Sequence, residues 1–253
     1  DVYKRQAITA ALVMNGGIVN AQEATNIGKH NITLSKDVMT PETLWAMGRI
    51  GSAQASPDGN KIVYQVGYYS VKENRGHQVI YVMDSDGQNV RQLTTSAKSE
   101  GSPVWLDNHT IAFLLDGQIW SMNSDGTNRK KLSSSDIEIE GFRFSPDGKK
   151  VLLIKSIPYY GTIKKNPSDL PKASGRLITD MNYRHWDHYV ETIAHPFVAE
   201  VTANGISKND VDIIEGEPYE SPLAPFGGIE QFDWSKDSKQ IAYTCRKKEG
   251  VKY

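Results

Sequence analysis

Short apolar runs alternate with turn signals along this chain, and one pattern occurs four times. Each copy sets two apolar runs on either side of a turn, which is rich in Ser, Pro, Asp and Gly in the clearest copies. The copies occupy residues 55–64, 105–113, 144–153 and 234–243. Proline presets φ for the second turn position, aspartate can bond its own backbone, and glycine adopts the left-handed conformation that follows. Each copy therefore predicts a strand, a tight turn and a second strand.

A second hairpin follows the first within these units. Residues 79–94 alternate apolar and polar positions around Asp86-Gly87, and residues 118–132 repeat that pattern around Asp125-Gly126. A third version surrounds Asn204-Gly205 and leads into Val211. Asp-Gly and Asn-Gly between alternating runs are strong hairpin signals. Two hairpins in about 40 residues is the length of a four-stranded propeller blade.

The repeats predict an all-β fold, an incomplete β-propeller whose blades each have four antiparallel strands. We expect blades at residues 50–95, 101–133 and 141–215, and the first half of a fourth blade from residue 229. The propeller part then covers residues 41–253, about three and a half blades. A propeller buries the faces of neighbouring blades against each other. The periodic tryptophans are therefore expected mainly in the core between blades: Trp105, Trp120, Trp186 and Trp234.

Composition and charge narrow the choice of partners. The 253 residues are 38% hydrophobic, with 21 Gly and 11 Pro, which suits many short strands and turns. The formal net charge is -1, from 29 Lys and Arg against 30 Asp and Glu. A balance of this kind gives no reason to expect a nucleic acid or an anionic membrane as a partner. We expect no cofactor and no membrane span.

The amino-terminal residues resemble an export signal. Lys4 and Arg5 precede the short apolar run 7–14, and Val19-Asn20-Ala21 has the small-residue ending of a signal-peptidase site. The run is too short to cross a bilayer. We therefore expect a signal peptide at residues 1–21, a lead-in at residues 22–40, and a periplasmic or secreted protein.

Three polar side chains near residue 186 raise the question of a metal. Imidazole and carboxylate groups suit zinc, and His185, Asp187 and His188 are close in sequence. On a strand, however, the first two project to one face and His188 to the other, which disfavours a metal. The alternative is a network in which Trp186 packs and Asp187 accepts hydrogen bonds.

Two further segments carry candidate chemistry. Glu215, Glu217 and Glu220 could hold the amino terminus of a substrate, but their place before Ser221-Pro222 favours an exposed outer strand or loop. Residues 157–173 contain three Pro and two Tyr, which argues against a buried strand and indicates an insertion in the third unit. Such a loop is either a functional element on a rigid scaffold or a surface excursion.

Several of these stretches together resemble one family. They are Leu44-Trp45-Ala46-Met47-Gly48-Arg49-Ile50, the run Tyr183-Arg184-His185-Trp186-Asp187-His188-Tyr189, and residues 221–228 leading into Phe232-Asp233-Trp234-Ser235. Over residues 38–253 the chain resembles the propeller domain of the prolyl oligopeptidase family, in its exported bacterial branch of dipeptidyl-peptidase V and acylaminoacyl-peptidase enzymes. The Ser-Pro-Asp-Gly repeat alone is less specific, because periplasmic propellers such as TolB share it.

The resemblance implies a serine exopeptidase in which the propeller caps a C-terminal α/β-hydrolase domain and restricts access to short peptides. This sequence has no Gly-x-Ser-x-Gly nucleophile elbow, so the catalytic Ser, Asp and His are expected beyond Tyr253. Arg184, Trp186 and Asp187 are then candidates for substrate binding in the cavity between the domains. A homodimer is possible. The alternative is a non-catalytic, TolB-like periplasmic propeller that binds proteins.

Overall fold

The computed structural model describes residues 27–32, 38–159 and 188–248, with short pieces at 163–164, 170, 172, 177–178 and 184–185. The expected signal peptide at residues 1–21 lies outside the described residues, as do Trp186 and Asp187. A short helix, α1 (Pro41–Ala46), precedes the sheets, and the Thr40 hydroxyl accepts a hydrogen bond from the Thr43 backbone N–H at its start.

Two complete four-stranded antiparallel sheets follow, each in simple sequential strand order. The first contains β1 (Arg49–Ala55), β2 (Lys61–Ser70), β3 (Arg75–Asp84) and β4 (Arg91–Gln92). The second contains β5 (Glu100–Trp105), β6 (Thr110–Leu115), β7 (Gln118–Asn123) and β8 (Lys130–Lys131). We call these blade 1 and blade 2, since each is one four-stranded unit of the predicted propeller.

The third sheet, blade 3, is interrupted by a long excursion at residues 159–191 between its second and third strands. It begins with β9 (Ile139–Phe144) and β10 (Lys150–Pro158). The excursion contains two small hairpins, formed by β11 (Ile163–Lys164) with β12 (Leu177–Ile178) and by β13 (Arg184–His185) with β14 (His188–Tyr189). The sheet resumes with β15 (Thr192–Thr202), which carries β16 (Gly205–Ile206) at its end and pairs with β17 (Val211–Asp212).

A two-stranded sheet, the beginning of blade 4, completes the described structure. A 3-10 helix at Ile229–Gln231 leads into β18 (Phe232–Trp234), which pairs with β19 (Ile241–Tyr243). The all-β propeller class is thereby confirmed. No helix among the described residues is long and apolar enough to span a membrane.

The repeated turns share one hydrogen-bond arrangement. In blade 1 the Ser56 hydroxyl donates to the Asp58 carboxylate over 2.6 Å and accepts from the Lys61 backbone N–H over 2.9 Å, while Gly59 has φ +73°. Ser145 and Asp147 repeat this arrangement in blade 3, and Ser235 and Asp237 in blade 4. The four predicted Asp-Gly turns are confirmed, because the glycines at 59, 87, 126 and 148 all have positive φ between antiparallel strands.

Apolar side chains fill the space between successive blades. Val63 and Ile80 of blade 1 pack with Trp105 and Phe113 of blade 2, and Ile119 of blade 2 lies in a cluster with residues of blade 3. A third cluster joins blade 3 to Phe232 and Trp234 of blade 4. The core role predicted for the tryptophans holds for Trp105, Trp120 and Trp234.

Two tryptophans also join neighbouring blades by hydrogen bonds at equivalent places. The Trp105 indole N–H donates to the Gln54 carbonyl over 3.1 Å, and the Trp234 indole N–H donates to the Arg143 carbonyl over 3.0 Å. Gln54 and Arg143 each stand two residues before the serine of their turn. These contacts join the first strands of blades 1 and 2, and those of blades 3 and 4.

The predicted insertion at residues 157–173 has the wrong bounds. Ile157 and Pro158 belong to β10, where they pair with Ile193 and Thr192 of β15. Proline is accepted there because β9, the neighbour on the other side of β10, pairs only as far as Lys155, so no strand needs a backbone N–H from residue 158. The excursion then continues to residue 191, so that it includes Arg184.

Candidate functional site

The connections between second and third strands lie together on one face of the blade array. The Ser-Pro-Asp-Gly turns of neighbouring blades meet at the opposite end, where the Asp58 backbone N–H donates to Asn108 over 3.0 Å and that of Asp147 donates to Ser238 over 3.1 Å. Since antiparallel strands return to the other end, the β2–β3, β6–β7 and β10–β15 connections emerge opposite these turns. We call this end the connection face.

The blade 3 excursion has a well-defined base at the connection face. The Tyr159 backbone N–H donates to the Glu191 carbonyl over 2.8 Å, which continues the pairing of β10 with β15. Tyr159, Val190 and Ile193 form a buried apolar cluster beside it, with Ile157 packed against them. The excursion is therefore anchored on the rigid sheet of the third blade.

Arg184 lies on this excursion with its side chain exposed to solvent. Its guanidinium carbon is 5.6 Å from the ring centroid of Tyr189, the residue directly opposite it in the β13–β14 hairpin. The sequence interpretation treated this stretch as one strand, and that is wrong. His185 and His188 are cross-strand partners with a reversal of the chain between them. Trp186 and Asp187, the other predicted binding residues, lie outside the described residues.

A buried ion pair and a buried histidine–aspartate contact lie in blade 3, below the base of the excursion. The Lys155 ammonium is 2.7 Å from an Asp210 carboxylate oxygen, and it also lies 3.8 Å from the ring centroid of Phe197. His195, which is directly opposite Lys155 in the sheet, is fully buried and contacts Asp212 through Nδ1 at 2.8 Å. No atom of the described residues forms a hydrogen bond with its Nε2. We call these four side chains, Lys155, His195, Asp210 and Asp212, the blade 3 charge layer.

Sequence reasoning missed the charge layer, although a signal for it exists. Lys155 interrupts the apolar run Val151-Leu152-Leu153-Ile154, and a lysine is almost never buried unless it is paired. The partner lies 55 residues away in sequence, on the segment just before β17. Only the return of that segment alongside β15 identifies which aspartate meets the lysine.

The acidic stretch divides into two exposed residues and a buried one. Glu215 and Glu217 are exposed, as expected, but the expectation of exposure is wrong for Glu220, which is 3% exposed. The next residue, Ser221, donates its backbone N–H to the Ala194 carbonyl, which brings the chain back against the sheet. Burial raises the pKa of Glu220, although the Ala224 backbone N–H donates to this carboxyl over 3.1 Å.

A second arginine on the connection face is held by aromatic rings. The Arg49 guanidinium carbon is 4.9 Å from the ring centroid of Trp45 and 4.3 Å from that of Tyr69. The two rings meet edge to face, with 5.6 Å between their centroids. We call Arg49, Trp45 and Tyr69 the arginine clamp. Helix α1 supplies the tryptophan, the first residue of β1 supplies the arginine, and the end of β2 supplies the tyrosine.

A cavity adjoins the arginine clamp. Its volume is about 310 Å³, and its walls include the Trp45 and Tyr69 rings and the tip of the β2–β3 hairpin from Ser70 to Gly76. Within the described part of the chain the Arg49 guanidinium has no hydrogen bond and no carboxylate partner. Sequence reasoning used Trp45 and Arg49 only as marks of resemblance and assigned them no site. Across the same described residues, His, Cys, Asp and Glu side chains nowhere gather in a group of three that could hold a metal.

Comparison with known proteins identifies relatives along nearly the whole chain. No family model matches. Dipeptidyl-peptidase 5 of Porphyromonas gingivalis is 40% identical over 252 residues, which is 98% of this chain and 36% of that protein. Dipeptidyl-peptidase 5 of Porphyromonas endodontalis is 36% identical over 87% of this chain and 33% of its own length. The chain thus spans about a third of the length of these relatives.

Parts of two solved peptidase structures also align with this chain. The acylaminoacyl peptidase of Pyrococcus horikoshii aligns with 68% of this chain and 26% of its own, at 12% identity and a TM-score of 0.48. Dipeptidyl peptidase 4 of Porphyromonas gingivalis aligns with 78% of this chain and 29% of its own, at 14% identity and a TM-score of 0.43. The chain is therefore similar in sequence to about a third of the dipeptidyl-peptidase 5 proteins, and this part of the sequence folds here as consecutive propeller blades.

Proposed function

We propose that this chain is the gating and substrate-selecting propeller part of an exported serine exopeptidase that releases dipeptides from short peptides. The observation that carries the proposal is the sequence identity with dipeptidyl-peptidase 5 along nearly the whole chain. The 253 residues contain no nucleophile elbow. Hydrolysis would then be carried out by a catalytic Ser, Asp and His that lie beyond Tyr253 in the full-length protein. These three residues would belong to an α/β-hydrolase domain that this propeller covers.

The connection face is the part of the propeller that would meet the peptide. Its longest element, the blade 3 excursion, is anchored at Tyr159 and Glu191 and presents Arg184 to solvent. A guanidinium is well suited to binding a carboxylate or a carbonyl because its planar fork of N–H donors matches those oxygens, and the Tyr189 ring beside it helps to order the side chain. Arg184, Trp186 and Asp187 are therefore proposed to bind the substrate.

Kinetics of the protein as encoded test this proposal. Release of a chromogenic group from dipeptide substrates should be abolished by a serine-directed inhibitor. Arg184→Ala should lower kcat/KM by the factor that corresponds to a loss of about 1.5–3 kcal/mol of transition-state stabilisation, the range for a hydrogen bond to a charged group. The melting temperature should change little. Arg184→Lys serves as the control for charge, because lysine keeps the charge but loses the planar geometry.

Two results would contradict the proposed role of Arg184. Lost stability with unchanged kinetics per folded molecule would make Arg184 structural. Unchanged kinetics and stability in both variants would remove any specific role. Absence of dipeptide release by the whole protein would contradict the peptidase assignment itself, and would favour the protein-binding alternative.

Export is the remaining part of the proposal. Residues 1–21 are proposed to be removed as a signal peptide, so the mature protein should begin at Gln22 and occur outside the cytoplasm. Amino-terminal sequencing of the protein from its native cells checks this. Recovery of intact residues 7–13 in the mature protein would contradict it.

A further inference from the structure

Arg49 is a cation with no counter-ion among the residues that the structure describes. Two aromatic rings hold its guanidinium, at 4.9 and 4.3 Å from their centroids, and the side chain is half-buried. Ring faces attract the charge of a guanidinium but leave its five in-plane N–H donors for other partners. No oxygen among the described residues accepts from them. The clamp is thus prepared for an anionic group that the described residues do not provide.

The surroundings of the clamp define what kind of anion fits. Trp45 and Tyr69, which hold the guanidinium, also form walls of the cavity of about 310 Å³. Trp45 is 42% exposed and Val71, at the hairpin tip, is 69% exposed, so apolar surface faces the cavity and solvent together. A ligand that satisfies both features carries a carboxylate next to an apolar side chain.

We propose that the arginine clamp binds the free carboxylate of a peptide's carboxy-terminal residue, with that residue's apolar side chain in the adjoining cavity. This inference rests on the proposed peptide-processing function, which it deepens by assigning a second peptide contact on the connection face. The contact is with the carboxy terminus, far in sequence from the excursion that carries Arg184. It would make the protein favour peptides with a free carboxy terminus and an apolar last residue.

Binding of matched peptides tests the proposal. The protein as encoded is first inactivated with a serine-directed covalent reagent, and then titrated by calorimetry with Ala-Ala-Ala-Leu and with the same peptide as its carboxy-terminal amide. The acid should bind about 10- to 100-fold more tightly than the amide, as expected for hydrogen bonds to a charged group. Ala-Ala-Ala-Ser should bind more weakly than the leucine peptide, because it leaves the apolar cavity unfilled.

Variants then assign the effect to the clamp. Arg49→Gln should remove the preference for the acid over the amide, and Arg49→Lys should keep only part of it, because lysine lacks the planar fork. Arg91→Gln is the matched control. Arg91 is an exposed arginine of blade 1 whose guanidinium donates to the Ser124 carbonyl. It lies in β4, at the opposite edge of the sheet from β1, which carries Arg49. It should leave the preference unchanged.

The outcomes separate this inference from the proposed function. Equal binding of acid and amide, or an acid preference that survives Arg49→Gln, overturns the inference while leaving the peptidase assignment intact. Arg49-dependent binding of inorganic phosphate as tight as that of the peptide would show a general anion site and would also overturn it. Binding of neither peptide overturns the inference, and dipeptide release measured separately then decides the proposed function.

Discussion

The first three strands of blades 2 and 3 follow the same sequential order, but the two blades differ at the connection face. In blade 2 the second and third strands are joined by the tight turn at Asp116-Gly117, whereas in blade 3 residues 159–191 intervene between the same two strands. The sixth residue of the second strand is Val66 in blade 1, Leu115 in blade 2 and Lys155 in blade 3. A long excursion and a buried cation thus occur together in one blade.

The residues that pair with these three positions on the third strand also differ from blade to blade. Val66 pairs with Val79 and Leu115 with Gln118, while Lys155 pairs with His195. Burying an ammonium group in an apolar layer is unfavourable unless a carboxylate accompanies it. Blade 3 supplies Asp210 for this purpose. The comparison shows that one repeat can retain its strand pairing while its core position changes from apolar to ionic.

The largest expected effect comes from breaking the buried pair. Asp210→Asn leaves the Lys155 ammonium, whose side chain is 6% exposed, without its carboxylate. The free energy of unfolding should fall by about 3–5 kcal/mol, the usual cost of an uncompensated buried charge. Chemical denaturation of the protein as encoded measures the change. The matched control is Asp84→Asn in blade 1, where the Lys61–Asp84 pair is 40% and 34% exposed, so that water screens the charges and the loss of stability should be much smaller.

A double variant sharpens the same comparison by making blade 3 resemble blade 2. Lys155→Met with Asp210→Asn removes both charges and should recover most of the stability lost in Asp210→Asn. The reason is that replacing a whole buried ion pair by neutral groups is often neutral or favourable. A double variant as unstable as the single one would show that the loss does not come from the unpaired ammonium.

A smaller effect is expected where blades are joined by tryptophan. Trp105→Phe keeps an aromatic ring but removes the indole N–H that donates to the Gln54 carbonyl. Loss of one hydrogen bond should cost about 0.5–1.5 kcal/mol, in addition to any packing change. Trp234→Phe should cost a similar amount, because it breaks the equivalent bond to Arg143. Thermal unfolding compares the two, and a large difference between them would mean that the two joints are not equivalent.

The smallest expected effect concerns the serine of the turn between the first and second strands, which blade 3 has and blade 2 lacks. Ser145→Ala removes the hydroxyl that accepts from the Lys150 backbone N–H over 3.0 Å and donates to the Asp147 carboxylate over 2.7 Å. Loss of the bond to the Lys150 backbone should cost about 0.5–1.5 kcal/mol. Blade 2 has Leu106 at the corresponding position and builds its turn on Asp107 alone. Ser124→Ala is the control, since none of the hydrogen bonds found in the described structure uses that hydroxyl, and it should leave stability unchanged.

The same variant has a pH signature. The Ser145 hydroxyl and the Lys149 backbone N–H lower the pKa of Asp147 below its ordinary value of 3.8. A carboxyl with a lowered pKa contributes stability above its unfolded-state pKa and loses that contribution as the pH falls through its folded-state pKa. The difference in stability between wild type and Ser145→Ala should therefore shrink below about pH 4. A difference that grows on acidification would contradict this explanation.

Local patterns predicted the repeated part of the molecule well. The Asp-Gly turns and the alternating runs around Tyr81 and Trp120 contain their own structural information, because turn chemistry and strand periodicity act over a few residues. The same reasoning did less well at the excursion, where it ended the insertion too early and interpreted the hairpin at Arg184 as a strand. Two-residue strands such as β13 and β14 leave too short a pattern to detect.

By itself the sequence determined the all-β blade architecture, the positions of the turns, the interblade tryptophans and the resemblance to a peptidase propeller. Tertiary structure alone decided which charges meet. Asp210 with Lys155, the burial of Glu220, and the contact of Arg49 with Trp45 and Tyr69 all depend on segments returning to one place. Charge pairing and burial are set by distances in space, and a one-dimensional pattern records only distances along the chain.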